Sequence, residues 1–303
     1  MEYAKEYLLK IVSFLESNWL YITWFILYFT IAWWIFGRNA EGAIFVLIIY
    51  TASITIALSP VGEFILRIME NCREPQTQQE QNYLLPMFEE VYENAKEIYP
   101  LLNSNIKIYI IDVMYVNAFA IGRKTIAVTR GALETFSVEE LKGVIAHEFG
   151  HINYGHTKAL LLSTIGNLFF TITVFIFRAI FFVFQIICDI FGHFNWLGFA
   201  LGLFNFVASL LVEISVFLFI NLSQIILSLN SRTNEIQADT FAYEIGYGRE
   251  LTGALYLIDK ISMSRDLTIN QRLRASHPHT AKRIQNLERL ESQELEETDA
   301  ITA

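Results

Sequence analysis

The chain has 303 residues, 53% of them hydrophobic, with 25 Phe, 14 Tyr and a positive mean hydropathy, which is too apolar for an ordinary soluble domain. A formal net charge of −9 argues against a nucleic-acid partner, because holding a polyanion needs a basic surface. The two cysteines, Cys72 and Cys188, lie in different contexts without zinc-binding Cys spacing and are expected to be free thiols.

The apolar residues come in blocks, and a hydrocarbon core of about 30 Å needs about 20 of them in helix. Residues 19–36 form one block and 43–58 a shorter second, joined by the turn Gly37-Arg-Asn-Ala-Glu-Gly42. They predict a membrane hairpin within residues 1–70; a buried soluble helix is the competing reading of the second block. Glu2, Glu6 and Glu16 spoil a basic n-region, so the first block is not expected to be a cleaved signal.

The stretch Arg73-Glu-Pro-Gln-Thr-Gln-Gln-Glu80 reads as a linker into a first domain half, residues 71–158. There Ile106-Lys-Ile-Tyr-Ile-Ile111 is strand-like, and a few strands are expected between residues 106 and 128. Ser137-Val-Glu-Glu140 has the hydroxyl-to-carboxylate spacing of a capping box, so a helix should start near Ser137. Leu141, Val144, Ile145 and Phe149 continue it with helical spacing.

Late in that helix stands His147-Glu-Phe-Gly-His151. Histidines four apart project from one helix face, so His147 and His151 can reach a single Zn²⁺ while Glu148 stands beside the water such a metal holds. The bland alternative is a helix with two satisfied histidines. His156 lies five residues beyond His151, off its helical face, and is left outside the metal set; His193 and His279 read as surface residues.

Residues 159–190 and 197–229 form a second pair of apolar blocks and predict a second membrane hairpin over 159–230. Arg178 interrupts one and Glu213 the other at about the same depth, so the two are expected to pair, unless both snorkel or lie beyond the bilayer. The second domain half, 231–290, opens with Ser231-Arg-Thr-Asn-Glu-Ile-Gln-Ala-Asp239. Glu235 and Asp239 are again four apart, on what Ala238, Phe241, Ala242 and Ile245 suggest is a helix. A catalytic zinc takes three protein ligands, and Glu235 fits the third. Asp239 would accept the free ring N–H of a zinc histidine. An exposed acidic helix face is the alternative. Residues 291–303 are expected to be an acidic disordered tail. Lys and Arg crowd the stretch between the hairpins and the region after the second, which places the termini and the motif helix in the cytoplasm of a multi-pass protein of the cell (plasma) membrane.

His147-Glu-Phe-Gly-His151 followed by Asn234-Glu235-Ile-Gln-Ala-Asp239 resembles the HtpX-like integral-membrane zinc metallopeptidases, which share a superfamily with the type I CAAX prenyl endopeptidases. The likeness extends to Asn117-Ala-Phe-Ala-Ile-Gly122, to Ala127-Val-Thr-Arg-Gly131 and to Ser276-His-Pro278, in the family's order. It implies an α+β, mainly helical fold: four transmembrane helices in two hairpins, plus a cytoplasmic zincin-like (gluzincin) catalytic domain with a small sheet. It implies one zinc per chain, held by His147, His151 and Glu235, with Asp239 behind them and Glu148 as general base that then protonates the leaving amine. Asn117, Ala118, Phe119 and Ala120 resemble the edge strand on which such peptidases lay an extended substrate. His277 resembles the family's late His-Pro histidine, which stabilises the oxyanion or packs near the site. Arg232 is a weaker catalytic candidate, beside a site carboxylate or the reaction intermediate, or else a juxtamembrane anchor.

The CAAX branch has seven spans, whereas this chain has room for four, as in HtpX. The expected activity is cleavage of misfolded or damaged membrane proteins, with a polypeptide substrate and the lipid bilayer as partners. The alternatives are a CAAX-type prenyl-protein endopeptidase and a non-catalytic membrane metal-binding or scaffold protein.

Overall fold

The computed structural model describes residues 39–164, 168–192, 196–263 and 280–302, preceded by positions 23, 26, 29, 30 and 33. The first expected span, 19–36, otherwise lies outside the described residues. The chain divides into two compact units, Met1–Ile56 with Ser163–Leu229, and Ala57–Leu162 with Asn230–Ala303.

In the first unit, helix α1 (Ala40–Ala57) begins where the Asn39 side chain accepts from the Gly42 N–H at 2.8 Å. Among the described residues it has the length and apolarity to cross a membrane, and Trp196–Leu211 is a shorter apolar stretch. Polar side chains here satisfy one another. Asn205 donates to the Phe181 carbonyl and to Gln185, which donates to Asp189. Arg178 donates to Glu213, the pairing expected from their matched depths.

The second unit opens with α2 (Pro60–Met69), where Ser59 caps the helix and Pro60 starts it, as its missing N–H and fixed φ allow. The expected linker is shorter than its composition suggested. Arg73 makes a backbone bridge to Ile110, and Thr77 and Glu80 form a capping box that starts α3 (Gln78–Ile98). This helix buries Leu84, Phe88, Val91 and Ala95 at helical spacing. Strands β1 (Lys107–Ile111), β2 (Ala118–Ile121) and β3 (Thr125–Thr129) follow, in the spatial order β1-β3-β2. The β1–β3 pair is parallel and β2–β3 antiparallel, so β2 forms an edge. The turn between β2 and β3 is pinned from two sides. Glu63 accepts from the Arg123 and Lys124 N–H groups and the Thr125 hydroxyl, and the Thr157 hydroxyl donates to the Gly122 carbonyl at 2.6 Å.

Helix α4 (Arg130–Thr135) leads to α5 (Val138–Tyr154), which begins with the expected capping box: the Ser137 hydroxyl accepts from the Glu140 N–H, and the Glu140 carboxylate accepts from the Ser137 N–H. Helix α6 (Thr157–Thr164) follows, and α7 (Leu168–Gly192) lies in the first unit. The helix expected around Glu235 and Asp239 is the end of one long helix, α8 (Trp196–Glu244). No Gly or Pro falls between Gly202 and Gly246 to end it. Helix α9 (Gly248–Met263) and helix α10 (Thr280–Thr302) complete the unit. Residues 291–302, expected as a solvated helix end fraying into a disordered acidic tail, continue α10, a helix that Ile284 and Leu287 anchor in the core. Helix α5 packs against α9, α3 and β2, and α9 against α10, so the motif helix runs through the core.

Candidate active site

The site is assembled on α5. Phe149 points away from the metal face and is fully buried against Phe88 and Tyr92, with ring centroids 5.3 and 5.5 Å away, which fixes the roll of the helix. Gly150 sits where α5 meets α8: a Cβ there would stand 2.8 Å from the Ala238 Cα, so only glycine lets the two backbones come this close. That approach brings Glu235 and Asp239, flanking Ala238, to the two histidines.

His147 Nε2 and His151 Nε2 lie 3.1 Å apart, and the Glu235 carboxylate is 3.5 Å from the first and 3.4 Å from the second. Glu148 joins the two histidines in a cluster whose donor atoms lie within 4.8 Å of one another. Asp239 is fully buried and its Oδ1 lies 2.9 Å from His147 Nδ1, so the ring N–H donates to it and leaves Nε2 facing Glu235.

Arg283, from α10, closes the cluster from behind. Its Nε and Nη2 donate to both Asp239 oxygens at 2.8 and 2.6 Å, and its Nη1 lies 3.1 Å from Glu235. Burial alone would raise the Asp239 carboxyl, but the Arg283 charge and hydrogen bonds, helped by His147, bring it down to about 2. Burial and the Arg283 charge likewise oppose a proton on His147; the Asp239 and Glu235 carboxylates outweigh them and hold its imidazole up at about 9.

The remaining sequence candidates fall unevenly. Ala118, Phe119 and Ala120 lie on the edge strand β2, which packs against α5, and the backbone of Asn117 just before it is bonded to Thr129. His277 and the Arg232 side chain lie outside the described residues. His156, left outside the metal set by its spacing, stands next to the cluster: its Nδ1 is 3.0 Å from His151 Nδ1.

A family model described as Peptidase family M48 matches residues 78–291, most of the chain. The chain belongs to this family. Among its relatives is a protease HtpX homolog of Salinibacter ruber, 31% identical over 209 residues that span 61% of this chain and 67% of that one. A CAAX prenyl protease 1 homolog of Caenorhabditis elegans is 30% identical over 151 residues, 48% of this chain but only 31% of the relative's length. A solved structure of Ste24p from S. mikatae is 20% identical, with a TM-score of 0.43, covering 93% of this chain and 66% of that one.

The donor set of this M48 chain fits zinc on two counts. In four-coordinate zinc with ligands at about 2.0–2.2 Å, donor atoms stand roughly 3.3–3.6 Å apart, close to the spacing of His147, His151 and Glu235. In addition, among the described residues of the site, the three buried carboxylates of Glu148, Glu235 and Asp239 outnumber the Arg283 guanidinium and the protonated His147, and a divalent cation would take the place of the proton on His147 while meeting that excess. Arg283 itself escaped the motif reading. A signal for it exists, since Arg283, Leu287 and Leu290 share one stripe of α10, and a cation in line with an apolar stripe is a buried cation in need of carboxylates.

Proposed function

We propose that the chain is a membrane-embedded zinc endopeptidase that hydrolyses peptide bonds of misfolded or damaged membrane proteins. The observation that carries this reading is the convergence of His147, His151 and Glu235 at zinc-ligand spacing with Glu148 beside them. Bound zinc would supply a Lewis acid that polarises the scissile carbonyl and makes water a stronger acid. Glu148 takes the proton of the attacking water and returns it to the leaving amine. Asp239 holds the His147 tautomer, and Arg283 holds Asp239 and Glu235 in place. The edge strand β2, in the segment Asn117 to Ala120, grips an extended substrate through its backbone, which makes the grip tolerant of sequence. His277 and Arg232 remain candidates for holding the oxyanion.

The membrane part of the proposal is four spans in two hairpins, with the site on the cytoplasmic side. It is supported by the apolar blocks, by the Lys and Arg distribution, and by large apolar side chains left exposed on α7 and α8, such as Phe175 and Phe204, each 71% exposed.

The test is cleavage of an unfolded model protein by the detergent-purified chain, with zinc content, for wild type and Glu148→Gln. Both should hold about one zinc and only wild type should cleave. Zinc retained by both with no cleavage by either would move the non-catalytic reading ahead. The likeness to the CAAX prenyl protease homolog favours a second reading, cleavage of prenylated C-termini. Efficient turnover of a prenylated CAAX peptide, with none of an unfolded protein, would establish it.

A further inference from the structure

The two histidines of the site are supported differently from behind. Behind His147 stands the charged pair of Asp239 and Arg283. Behind His151 stands His156, whose Nδ1 is 3.0 Å from His151 Nδ1, and on its far side His156 Nε2 is 3.0 Å from the Gln237 Oε1. We infer that Gln237 and His156 form a neutral relay that fixes the tautomer of His151 and so tunes the metal site.

The polarity of the relay follows link by link. The amide oxygen of Gln237 can only accept, so His156 carries its proton on Nε2 and donates it there. His156 Nδ1 is then a lone pair and accepts from the His151 Nδ1–H. That leaves His151 Nε2 unprotonated on the side facing His147 and Glu235, as a metal ligand requires. Were Gln237 turned to present its NH₂ instead, each proton would move one place along and His151 Nε2 would be blocked.

The backbone is built to put His156 there. Helix α5 stops at Tyr154, and Gly155 takes a left-handed conformation (φ 71°, ψ 26°) that L side chains rarely adopt. The His156 N–H then donates to the His151 carbonyl at 3.0 Å, and the chain folds back so that the two imidazoles meet at 71°, centroids 5.2 Å apart. The Tyr154 ring lies over His156 at 5.7 Å and 26°, which fixes the plane of the imidazole. Gln237 sits midway between Glu235 and Asp239, so one short stretch of α8 supplies a ligand and the outer support of each histidine.

His156 and Gln237 are positioning residues, and the inference rests on the zinc reading above. The test measures zinc affinity of the full chain in detergent by chelator competition, together with the visible spectrum of the cobalt-substituted protein. His156→Leu should weaken zinc by about 10–100-fold and shift the cobalt bands. His156→Asn, whose amide oxygen takes the place of Nδ1, should recover most of the affinity. An affinity loss in the leucine variant that the asparagine variant does not recover, accompanied by an equal drop in thermal midpoint of both metal-free variants, would mean packing alone and overturn the inference. So would wild-type affinity and an unchanged spectrum in His156→Leu. A wild-type chain that takes up no zinc would overturn the zinc reading itself, and this inference with it.

Discussion

Arg283 is the most consequential side chain outside the motifs. It is 4% exposed and is shared between Asp239 and Glu235, so its removal strands two buried carboxylates. Arg283→Met should destabilise the metal-free protein by about 3–5 kcal/mol, and by less when zinc is present, because the cation takes over part of the compensation. Thermal unfolding of the variant with and without added zinc checks this; equal losses in both states would remove the guanidinium from the charge balance of the site. The convergence of His147, His151, Glu235 and Asp239 could be anticipated because His147 and His151, and likewise Glu235 and Asp239, are spaced by one helical turn, with Glu148 lying between the histidines. Arg283 and His156 could not be. The first shows locally only as a cation in line with an apolar stripe, which does not tell which distant carboxylates it meets, and the second reaches His151 only because the helix ends and the backbone reverses at Gly155.

At the scale of elements, the start of α5 was readable in Ser137 and Glu140, whereas the continuity of α8 through Glu235 was not, because an apolar helix and a domain helix that follows it share the same periodicity. The contact between α5 and α8 separates two kinds of substitution. Gly150→Ala drives a methyl group against the Ala238 backbone and should cost about 1–3 kcal/mol while lowering zinc retention, since Glu235 must shift with its helix. Ser137→Ala should cost about 1 kcal/mol and leave zinc affinity unchanged. Parallel measurement of thermal midpoint and zinc content distinguishes them; full zinc in Gly150→Ala would mean the helices separate without disturbing the ligand.

A second junction lies where α3, β1 and α4 meet. Arg73 and Arg130 each bond both Glu80 and Asp112. Hydrogen bonding to Arg73 is the main cause that holds Asp112 down at about 2, and it holds Glu80 below the usual carboxylate range as well. Both folded-state values lie below the unfolded ones of about 4. The stabilisation is therefore complete above about pH 5 and is lost as the pH falls toward 2. Arg73→Met should cost about 1 kcal/mol at pH 7, with the gap from wild type closing between about pH 4 and 2. A gap that stays constant across that range would show that the arginine acts through packing.

For the whole molecule, zinc should act as a stabiliser as well as a reagent. Chelation should lower the thermal midpoint of wild type and do little to His147→Ala, which lacks a ligand from the start. Equal sensitivity of the two proteins would mean that the chelated ion sits elsewhere. The catalytic unit is also split in the chain: His147, Glu148 and His151 come before the 163–229 insertion, and Glu235, Asp239 and Arg283 come after it. At about 5–20 residues per second, a ribosome needs roughly 7–26 s to travel from His151 to Arg283. Until Glu235 emerges within that interval the nascent chain carries a histidine pair with no carboxylate ligand, and until Arg283 follows it has no guanidinium behind the site. A donor set divided in this way is incomplete for as long as the intervening segment is being made, by the order of its residues alone.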